Sequence, residues 1–504
     1  MIRSNCRLCC WLGILTGLLA CRLQAADGPW NVGPLWDEFP LTLDSGERTE
    51  AWGPLFYCQT RDTEHTMAVP PLLCHVSDDV ADWDEIDFLY PLVTYDRFGT
   101  EHRWQFIQLF SVAGGINQDE TARKRFTIFP FYFQQRSPDP GNNYTALFPI
   151  YGHLQNRLFR DEIHFVLFPL YGQSRKRDVV TDNYLFPFFH LRHGNRLQGW
   201  QFWPLVGHEH KDVTWVTNGF GDAEIVGGHD KWFSLWPIYF NYATGIGTEN
   251  PAKEIDVLPF YAQYRSPLRD TTSVLWPFFN YIDDRGRKYR EWEGPWPLVI
   301  FARGEGKTTS RILPLFSRQR SDTQMFDSYL WPVYKYKRLH AGSLDRQRWQ
   351  VLYFLFSHVR ERNAETGGRK TRTDFLPLFT YRRDYNGNTR LQILAPIEPV
   401  LPNNKSVERN WSPVWSLWRS EHNPTAHASS QSLLWNLFRR EASPASKKCS
   451  LLFGIFQYES TTDARRLRLF FVPVFSSHKD APPAATETSP TPEMTPSTPA
   501  GNGK

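Results

Sequence analysis

A short block that recurs through most of the chain limits how it can fold more than any other feature. Each copy has an aromatic or apolar residue, a proline, a second apolar residue and a further aromatic or apolar one, as in Phe-Pro-Leu-Tyr at 168–171 and Trp-Pro-Ile-Tyr at 236–239. Most of these prolines follow one another at intervals of roughly 17–23 residues. A fixed period of this length is typical of repeat proteins, in which each unit packs on its neighbours.

The residues within and between the blocks favour β-structure. Polar turn-formers separate the blocks, for example at 137–143, 193–195 and 386–388. Aromatic residues make up 15% of the chain and prefer strands, whereas its 37 prolines are hard to place in helices. The sequence therefore predicts an all-β fold of about twenty short antiparallel strands, one per repeat, in an up-and-down meander. Proline lacks the N–H that a central strand needs, so it either kinks each strand or marks its end; both alternatives stay open.

A meander of this kind has two bare edge strands, and closure into a large β-barrel would pair them. An open sheet is the other form of the same prediction. In both forms we expect the central ring of each block to pack between neighbouring copies. The predicted repeat core consists of Phe129, Phe148, Phe168, Phe186, Trp203, Trp236, Trp276 and Trp331.

Residues 1–25 have the composition of a secretory signal peptide. Basic residues precede an apolar stretch at 11–20 that is too short to cross a bilayer permanently. The segment 18–21 (Leu-Leu-Ala-Cys) resembles the lipobox of bacterial lipoproteins, in which the cysteine, here Cys21, is acylated. Its second leucine replaces the small residue usual at that place. The alternative is cleavage after Ala25 or Ala26 without a lipid.

The remainder divides into a β-repeat domain at 27–479 and a tail at 480–504. The tail is rich in Pro, Thr and Ser and has almost no large apolar residue, which predicts disorder. Cys58 and Cys74 lie one repeat apart in the β-repeat domain. A single disulfide in an oxidising compartment is one alternative for them, and two buried thiols are the other.

Recognised catalytic motifs are missing from the sequence, and we expect neither enzymatic activity nor a cofactor. His208 and His210 form a His-x-His pair that would point to one face of a strand, so they are weak candidates for metal binding, with a solvated loop as the alternative. An acidic run at 78–87 lacks the glycine of a calcium loop and is interpreted as a solvated loop. The balance of 57 basic and 53 acidic side chains does not indicate nucleic acid as a partner.

With these blocks, the chain resembles an uncharacterised group of secreted proteins of Gram-negative bacteria that carry tandem Trp/Phe-Pro-Leu-Tyr repeats. The resemblance covers residues 40–475 and implies export and a repeat architecture, without an activity. We therefore expect a non-catalytic outer-membrane or outer-membrane-associated envelope protein, in contact with membrane lipid or other envelope components, a β-barrel being one form of it. The alternative is a soluble periplasmic or surface-anchored β-repeat scaffold that binds a glycan or a protein partner.

Overall fold

The protein is an all-β chain built on one very long antiparallel sheet. The computed structural model describes residues 32–116, 122–217, 221 and 223–478. In these residues 43 strands form a single sheet and two more form a separate hairpin. The predicted all-β antiparallel meander is thus confirmed.

The strands are short and follow one another at close intervals. Those of the first part of the chain are β1 (Asp37–Pro40), β2 (Gly46–Ala51), β3 (Phe56–Arg61), β4 (Glu64–Val69), β5 (Leu73–Asp78), β6 (Trp83–Phe88), β7 (Val93–Phe98), β8 (Glu101–Phe106), β9 (Phe110–Ile116), β10 (Ala122–Ile128), β11 (Tyr132–Arg136), β12 (Tyr144–Leu147), β13 (Tyr151–Arg157), β14 (Arg160–Val166), β15 (Tyr171–Lys176), β16 (Val179–Tyr184), β17 (Phe189–Gly194), β18 (Leu197–Phe202) and β19 (Val206–Lys211). The middle strands are β20 (Thr214–Thr217), β21 (Ala223–Val226), β22 (Gly228–Ser234), β23 (Tyr239–Ile246), β24 (Ala252–Val257), β25 (Tyr261–Arg265), β26 (Arg269–Val274), β27 (Phe279–Asp284), β28 (Tyr289–Glu293), β29 (Val299–Gly304), β30 (Thr308–Ile312), β31 (Phe316–Arg320) and β32 (Gln324–Tyr329). The last are β33 (Tyr334–Ala341), β34 (Leu344–Val351), β35 (Phe356–Asn363), β36 (Arg369–Phe375), β37 (Phe379–Arg383), β38 (Thr389–Ile393), β39 (Trp418–Asn423), β40 (Ala428–Leu433), β41 (Phe438–Ala442), β42 (Ser446–Leu451), β43 (Phe456–Thr461), β44 (Ala464–Leu469) and β45 (Val472–His478).

Helical segments are few in the described part of the chain. Two short α-helices, α1 (Lys405–Asn410) and α2 (Ser412–Trp415), lie in the connection between β38 and β39. Asn404 begins α1, and its side-chain oxygen accepts a hydrogen bond from the backbone N–H of Val407. Single 3-10 turns occur at Gly33–Leu35, Gly53–Leu55 and Pro140–Asn142.

Each repeat supplies two strands, where the sequence predicted one. The block at 168–171 illustrates this, because Phe168 and Pro169 lie in the turn between β14 and β15. These two strands pair antiparallel, with Val166 directly opposite Tyr171. Most of the block prolines therefore stand outside the ladder and mark the ends of strands. Pro473 of the last block is an exception, because it lies within β45 opposite Arg468, where the register shifts. Many of the block prolines, Pro169 among them, follow a cis peptide bond.

The sheet has two ends within the described residues. β1 pairs with β2, and β45 pairs with β44, but no pairing joins β1 to β45. The only interruption of nearest-neighbour order among the described strands is at β19, which pairs with β22 because the hairpin of β20 and β21 is inserted between them. The glycine-rich stretch at 212–227 thus contains a small hairpin.

None of the eight aromatic residues predicted as the repeat core is fully buried, although Phe148 and Phe168 pack against the buried cluster around Phe165. Phe129, Phe186, Trp236, Trp276 and Trp331 are each nearly half exposed, and Phe148, Phe168 and Trp203 are half-buried. All eight stand in turns at one edge of the sheet, where neighbours exist on fewer sides than in the middle of a strand. The buried residues come instead from the strands.

The strands bury one face more than the other, and we call this the packed face. Opposite residues of paired strands point to the same face, so Ala146, Gly152 and Phe165, which are aligned across β12, β13 and β14, lie together on it. Phe165 is 4% exposed and packs with Phe133, Tyr144, Ala146 and Leu154. A second cluster on this face contains Tyr57, Ala68, Cys74 and Val76.

The two ends of the sheet contact each other through their packed faces. The guanidinium carbon of Arg439 in β41 lies 3.3 Å from the centre of the Phe39 ring in β1. The side-chain amide of Asn436 donates to Glu50 of β2 over 2.8 Å. The hydroxyl of Tyr57 in β3 donates to the backbone oxygen of Arg409 in α1 over 3.0 Å. We call this region the seam.

Helix α1 fills the seam with charged and amide side chains that find partners on strands near the start of the chain. The Arg409 guanidinium lies 2.8 Å from Glu85 and 3.0 Å from Glu64. Asn410, which is fully buried, donates from its side-chain nitrogen to Asp87 over 2.9 Å. Buried polar groups need such partners, so α1 holds the two ends of the sheet in one arrangement.

Two buried carboxyl groups at the seam make its stability depend on pH. Burial, reinforced by the charge of Glu85, raises the pKa of Asp87 to about 6, and burial raises the pKa of Asp37 to about 7. Both values lie above the roughly 3.9 of an unfolded Asp, so the folded state binds these protons more tightly. Stability should therefore increase as the pH falls from about 7 towards 4.

We expect Asp87→Asn to stabilise the protein at pH 7.5 and to reduce the gain in stability on moving to pH 5.5. Asp87 should contribute about 0.5–1 kcal/mol of this gain, because pH 5.5 lies about half a unit below its pKa of about 6 and one pKa unit corresponds to about 1.4 kcal/mol. Chemical denaturation of the full chain at both pH values measures it. Asp79→Asn is the matched control, since Asp79 is exposed in the turn after β5. Equal pH dependence in the wild type and Asp87→Asn would contradict the assignment.

Candidate functional site

One edge of the sheet is made of turns without any charged side chain, and we call it the apolar edge. Its turns are 52–55, 70–72, 89–92, 107–109, 129–131, 148–150, 167–170, 185–188, 203–205, 235–238, 258–260, 275–278, 294–298, 313–315, 330–333, 352–355, 376–378, 434–437, 452–455 and 470–471. They are composed almost wholly of Leu, Phe, Trp, Ile, Val and Pro. The connection at 394–417, which contains α1 and α2, leaves from the same edge and returns to it.

Many apolar side chains of this edge are open to the surroundings. Leu170, Phe260 and Leu315 are 53%, 66% and 56% exposed. The strand residues that flank the turns continue the apolar surface, as Tyr151 and Val166 do at 64% and 43% exposure. Exposed apolar surface of this extent is rare on a soluble monomer and marks a surface for interaction.

Hydrogen bonds between successive turns pair backbone N–H and C=O groups of the apolar edge. The N–H of Leu167 donates to the backbone oxygen of Ile150, and the N–H of Leu185 donates in the same way to Leu170 over 2.6 Å. The pattern recurs along the sheet, for example from Leu235 to Leu205 over 2.6 Å. The turns therefore extend the sheet ladder to its very edge, and these donors do not need water.

Aromatic rings of consecutive turns contact one another along the edge. The centres of the Phe148 and Phe168 rings are 5.5 Å apart, and Phe168 and Phe186 repeat the same distance. Trp203 and Trp236 are likewise 5.5 Å apart. These spacings are in the range of favourable ring pairs, so the edge is an ordered row of rings.

The opposite edge of the sheet is mainly polar. Its turns include Asp62-Thr63, Arg177-Asp178 and Asn195-Arg196, together with longer polar loops at 285–288 and 384–388. One apolar exception is the turn 158–159, where the Phe159 side chain is 97% exposed. The sheet is thus amphipathic from edge to edge.

The chain enters the described structure at the apolar edge. Gly33 has a φ of +67° and lies so close to other turns that a Cβ atom would come within 2.6 Å of the Phe453 backbone oxygen and 2.8 Å of the Phe471 ring. Both of these residues belong to turns of the apolar edge. The candidate lipidation site Cys21 precedes this point in sequence and lies outside the described residues.

A cluster of two imidazoles and a carboxylate stands on the less buried face of β13 and β14. His153 and His164 are directly opposite in the register, and their rings stack with centres 4.0 Å apart and planes 12° apart. The Nε2 atom of His153 is 4.0 Å from an oxygen of Glu162. The ligand atoms of the three side chains all lie within 4.8 Å of one another. Burial, together with the neighbouring His164, lowers the pKa of His153, which favours the neutral imidazole.

The predicted pair His208 and His210 does lie on one face of a strand, β19. His208 is 2.6 Å from a carboxylate oxygen of Asp230, and His210 is 3.2 Å from Asp212. The same Asp230 oxygen is also 3.7 Å from the Nδ1 atom of His210, so the two imidazoles share one carboxylate and His210 has Asp212 as a second partner. The sequence singled out this pair and missed His153 and His164, because those two come from different strands and meet only through the register.

The register decides between the two alternatives left open for Cys58 and Cys74, and it excludes the disulfide. Cys58 in β3 is opposite Met67 of β4, whereas Cys74 in β5 is opposite Ala68, the next residue along β4. The two cysteines therefore point to opposite faces and stand two strands apart, roughly 10 Å, beyond the reach of a disulfide. Cys74 is a buried thiol in the packed face, where burial raises its pKa to about 12.

The acidic run at 78–87 is not a solvated loop along its whole length. It includes strand β6, in which Asp87 is only 2% exposed at the seam. Glu85 and Asp87 are partners of α1 at the seam, whereas Asp82 and Asp84 pair with Arg97 of β7.

No family model matches the chain, and no curated protein is found as a relative. In the described part of the structure, no helix has the length and apolar character required to cross a bilayer.

Proposed function

We propose that the protein is a non-catalytic, outer-membrane-associated envelope protein whose apolar edge inserts into a lipid surface. The observation that carries the proposal is the edge-to-edge asymmetry of the sheet. The short turns of one edge carry no charge, so that charged residues occur there only in the longer connection 394–417, and mainly polar turns occupy the other edge. A bilayer rejects charged groups and accepts Leu, Phe and Trp, so the apolar edge suits it.

Backbone pairing along the apolar edge supports lipid as the occupant. Unpaired N–H and C=O groups are costly in hydrocarbon, and only structures that satisfy them internally enter a membrane. The bonds between successive turns, such as Leu185 to Leu170, meet this requirement. Tryptophans in the turns, among them Trp236 and Trp276, fit the interfacial region, where amphipathic rings are enriched.

The length of the edge favours a lipid surface over a single protein partner. Strands are spaced by about 4.8 Å, so the 43-stranded sheet extends for roughly 200 Å along its edge. A standard protein interface buries about 800 Å² per partner and would cover only a small part of this length.

The height of the apolar band favours insertion over spanning. The apolar band consists of one turn and the residue that flanks it on each strand. Its height, measured along the strands, is about 10 Å at 3.3 Å per residue. Two residues further from the edge, the same face carries His153, His164, Gln173 and Asp182. A spanning sheet needs an apolar band of about 25 Å, whereas interfacial elements enter by about 5–10 Å.

Cys21 fits the same orientation. The chain enters the fold against the turns 452–455 and 470–471, both at the apolar edge. An acyl chain on a cysteine shortly before that point would enter the same leaflet as the turns. A single lipid chain gives marginal anchoring and a second signal makes it stable, a role that the edge would supply.

The test is vesicle flotation of the full chain with Cys21→Ser, so that a lipid cannot contribute. We expect the protein to float with vesicles of phosphatidylethanolamine and phosphatidylglycerol. The triple variant Leu170→Asp, Phe260→Asp, Leu315→Asp should bind at least roughly tenfold less, because each buried apolar side chain contributes about 1.5–3 kcal/mol. The matched control is Phe159→Asp, which removes an apolar side chain from the polar edge and should float like the parent.

Recovery of the parent in the soluble fraction, or equal flotation of the triple variant, would contradict the proposal. A soluble parent that is retained on immobilised peptidoglycan or on a protein from the envelope would instead support the scaffold that binds a glycan or protein partner.

A further inference from the structure

The cluster of His153, His164 and Glu162 has no role in contact with lipid, since it lies on strands beyond the apolar edge. We propose that these three side chains bind a divalent transition-metal ion, with Zn²⁺ as the best match. Two imidazoles and one carboxylate are a common ligand set for zinc.

The sheet brings the three ligands to one face. His153 and His164 face each other across β13 and β14, and Glu162 is two residues from His164 on β14. Residues two apart on a strand point to the same side, so all three project together. Both strands are central in the sheet, each paired on both sides, and this fixes the ligands more firmly than a loop would.

An orphaned nitrogen points to a missing partner at this place. The Nε2 atom of His153 is buried and has no hydrogen-bond partner in the described structure. The nearest carboxylate oxygen, on Glu162, is 4.0 Å away, too far for a hydrogen bond. A metal ion bound at about 2.0–2.2 Å from these two atoms would fill this gap. Because an imidazole binds a metal in the plane of its ring, His164 would join the ion by a rotation of its side chain out of the stack with His153.

A neighbouring arginine positions the carboxylate. Arg175 of β15 lies 2.9 Å from the other oxygen of Glu162, which leaves the first oxygen directed towards His153. Groups that hold a ligand from behind in this way orient it and strengthen metal binding. Among the residues that the structure describes, this is the one cluster of His, Cys, Asp and Glu close enough to share an ion.

Three protein ligands leave a coordination position open to solvent or to a group from outside. The cluster is half-buried, so such a group could reach it. An open position is typical of sites that bind an exchangeable ligand, whereas purely structural zinc sites have four protein ligands.

The experiment is a zinc titration of the metal-stripped full chain in competition with a chromophoric chelator. We expect one equivalent of Zn²⁺ in the wild type, and at least a roughly tenfold loss of affinity in His164→Ala and in the near-isosteric Glu162→Gln. The control is the double variant His208→Ala, His210→Ala, which removes another histidine pair and should keep the wild-type affinity. X-ray absorption of the zinc-loaded wild type should show two imidazole nitrogens at about 2.0–2.1 Å.

Circular dichroism confirms that each variant is folded before its titration is interpreted. Failure of the wild type to retain zinc overturns the proposal. So does unchanged affinity in both His164→Ala and Glu162→Gln, or loss of the bound equivalent only in the His208 and His210 control.

Discussion

Replacement of Arg409 by leucine is expected to lower the free energy of unfolding by about 3–5 kcal/mol. Arg409 is largely buried in α1 and pairs with Glu64 and Glu85, which belong to strands near the other end of the sheet. Removal of the guanidinium leaves Glu85 at the seam without its counter-charge and leaves Glu64 with Arg61 alone, and an uncompensated buried charge is strongly destabilising. Urea denaturation of the full chain, followed by tryptophan fluorescence, measures the change.

Two comparisons separate this effect from a general loss of charge. Lys288→Met removes the exposed pair of Lys288 and Glu305, whose side chains are 72% and 79% exposed, and should change stability by less than about 1 kcal/mol. Combining Arg409→Leu with Glu64→Gln and Glu85→Gln should recover part of the loss, since replacing a whole buried ion network is often nearly neutral. An Arg409→Leu protein as stable as the wild type would show that the seam does not hold the ends together.

The second large effect concerns Phe165 in β14. Phe165→Ala should cost about 3–5 kcal/mol, because the ring is 4% exposed and its removal opens a cavity in the packed face. The surroundings have little freedom to close that cavity, since Gly152 already brings the backbone of β13 against the ring, where a Cβ would be 2.5 Å away. Thermal melting and limited proteolysis of the full chain report the loss.

Trp276→Ala is the matched comparison for Phe165→Ala. Trp276 is 46% exposed in a turn of the apolar edge, so its removal in the absence of lipid should cost less than half as much, although more atoms are deleted. Damage from Phe165→Ala should be greatest in β13 and β15, because repeat arrays depend on nearest-neighbour contacts. Equal losses in the two variants would indicate that the turns and the strands contribute alike to the core.

The sequence was sufficient for the fold class and the meander, and insufficient for the number of strands. The period of the blocks and the turn-formers between them both indicate β-structure, and the structure agrees. The error in strand count arose from segments such as 162–175, in which Phe168 and Pro169 look like the middle of one apolar strand. In the structure they form a turn, 167–170, whose side chains are as apolar as the strand residues Val166 and Tyr171 that flank it.

The same apolar turns account for the misplaced core. An aromatic residue in a repeat is normally assigned to the interior, and the lack of charge around each proline strengthens that assignment. The informative signal was that charge is absent near every proline block but present in the turns halfway between the blocks, such as Arg177-Asp178. A sheet with one apolar and one polar edge accounts for this alternation of uncharged blocks and charged turns. A model with one buried strand in each repeat does not.

Contacts between distant parts of the chain were beyond sequence reasoning. Asp87 and Asn410 are separated by 323 residues, and no local pattern connects them. His153 and His164 are close in sequence, but their meeting depends on a turn at 158–159 that sets the register of β13 and β14. Insertion or deletion of one residue in that turn would shift the register by one and place the two imidazoles on opposite faces.

Because each repeat supplies two strands, such a chain can gain or lose strands only in even numbers without exchanging its two edges. Every second turn lies at the apolar edge, so gain or loss of a single strand would exchange the edges for all turns that follow. Gain or loss of two strands leaves every later turn where it was. Both interruptions obey this rule: β20 and β21 form a complete hairpin at the polar edge, and the helical connection at 394–417 starts and finishes at the apolar edge. Whole hairpins are therefore the units in which the array can evolve or be engineered, and a deletion matched to one repeat, such as 167–184, should preserve a continuous apolar border.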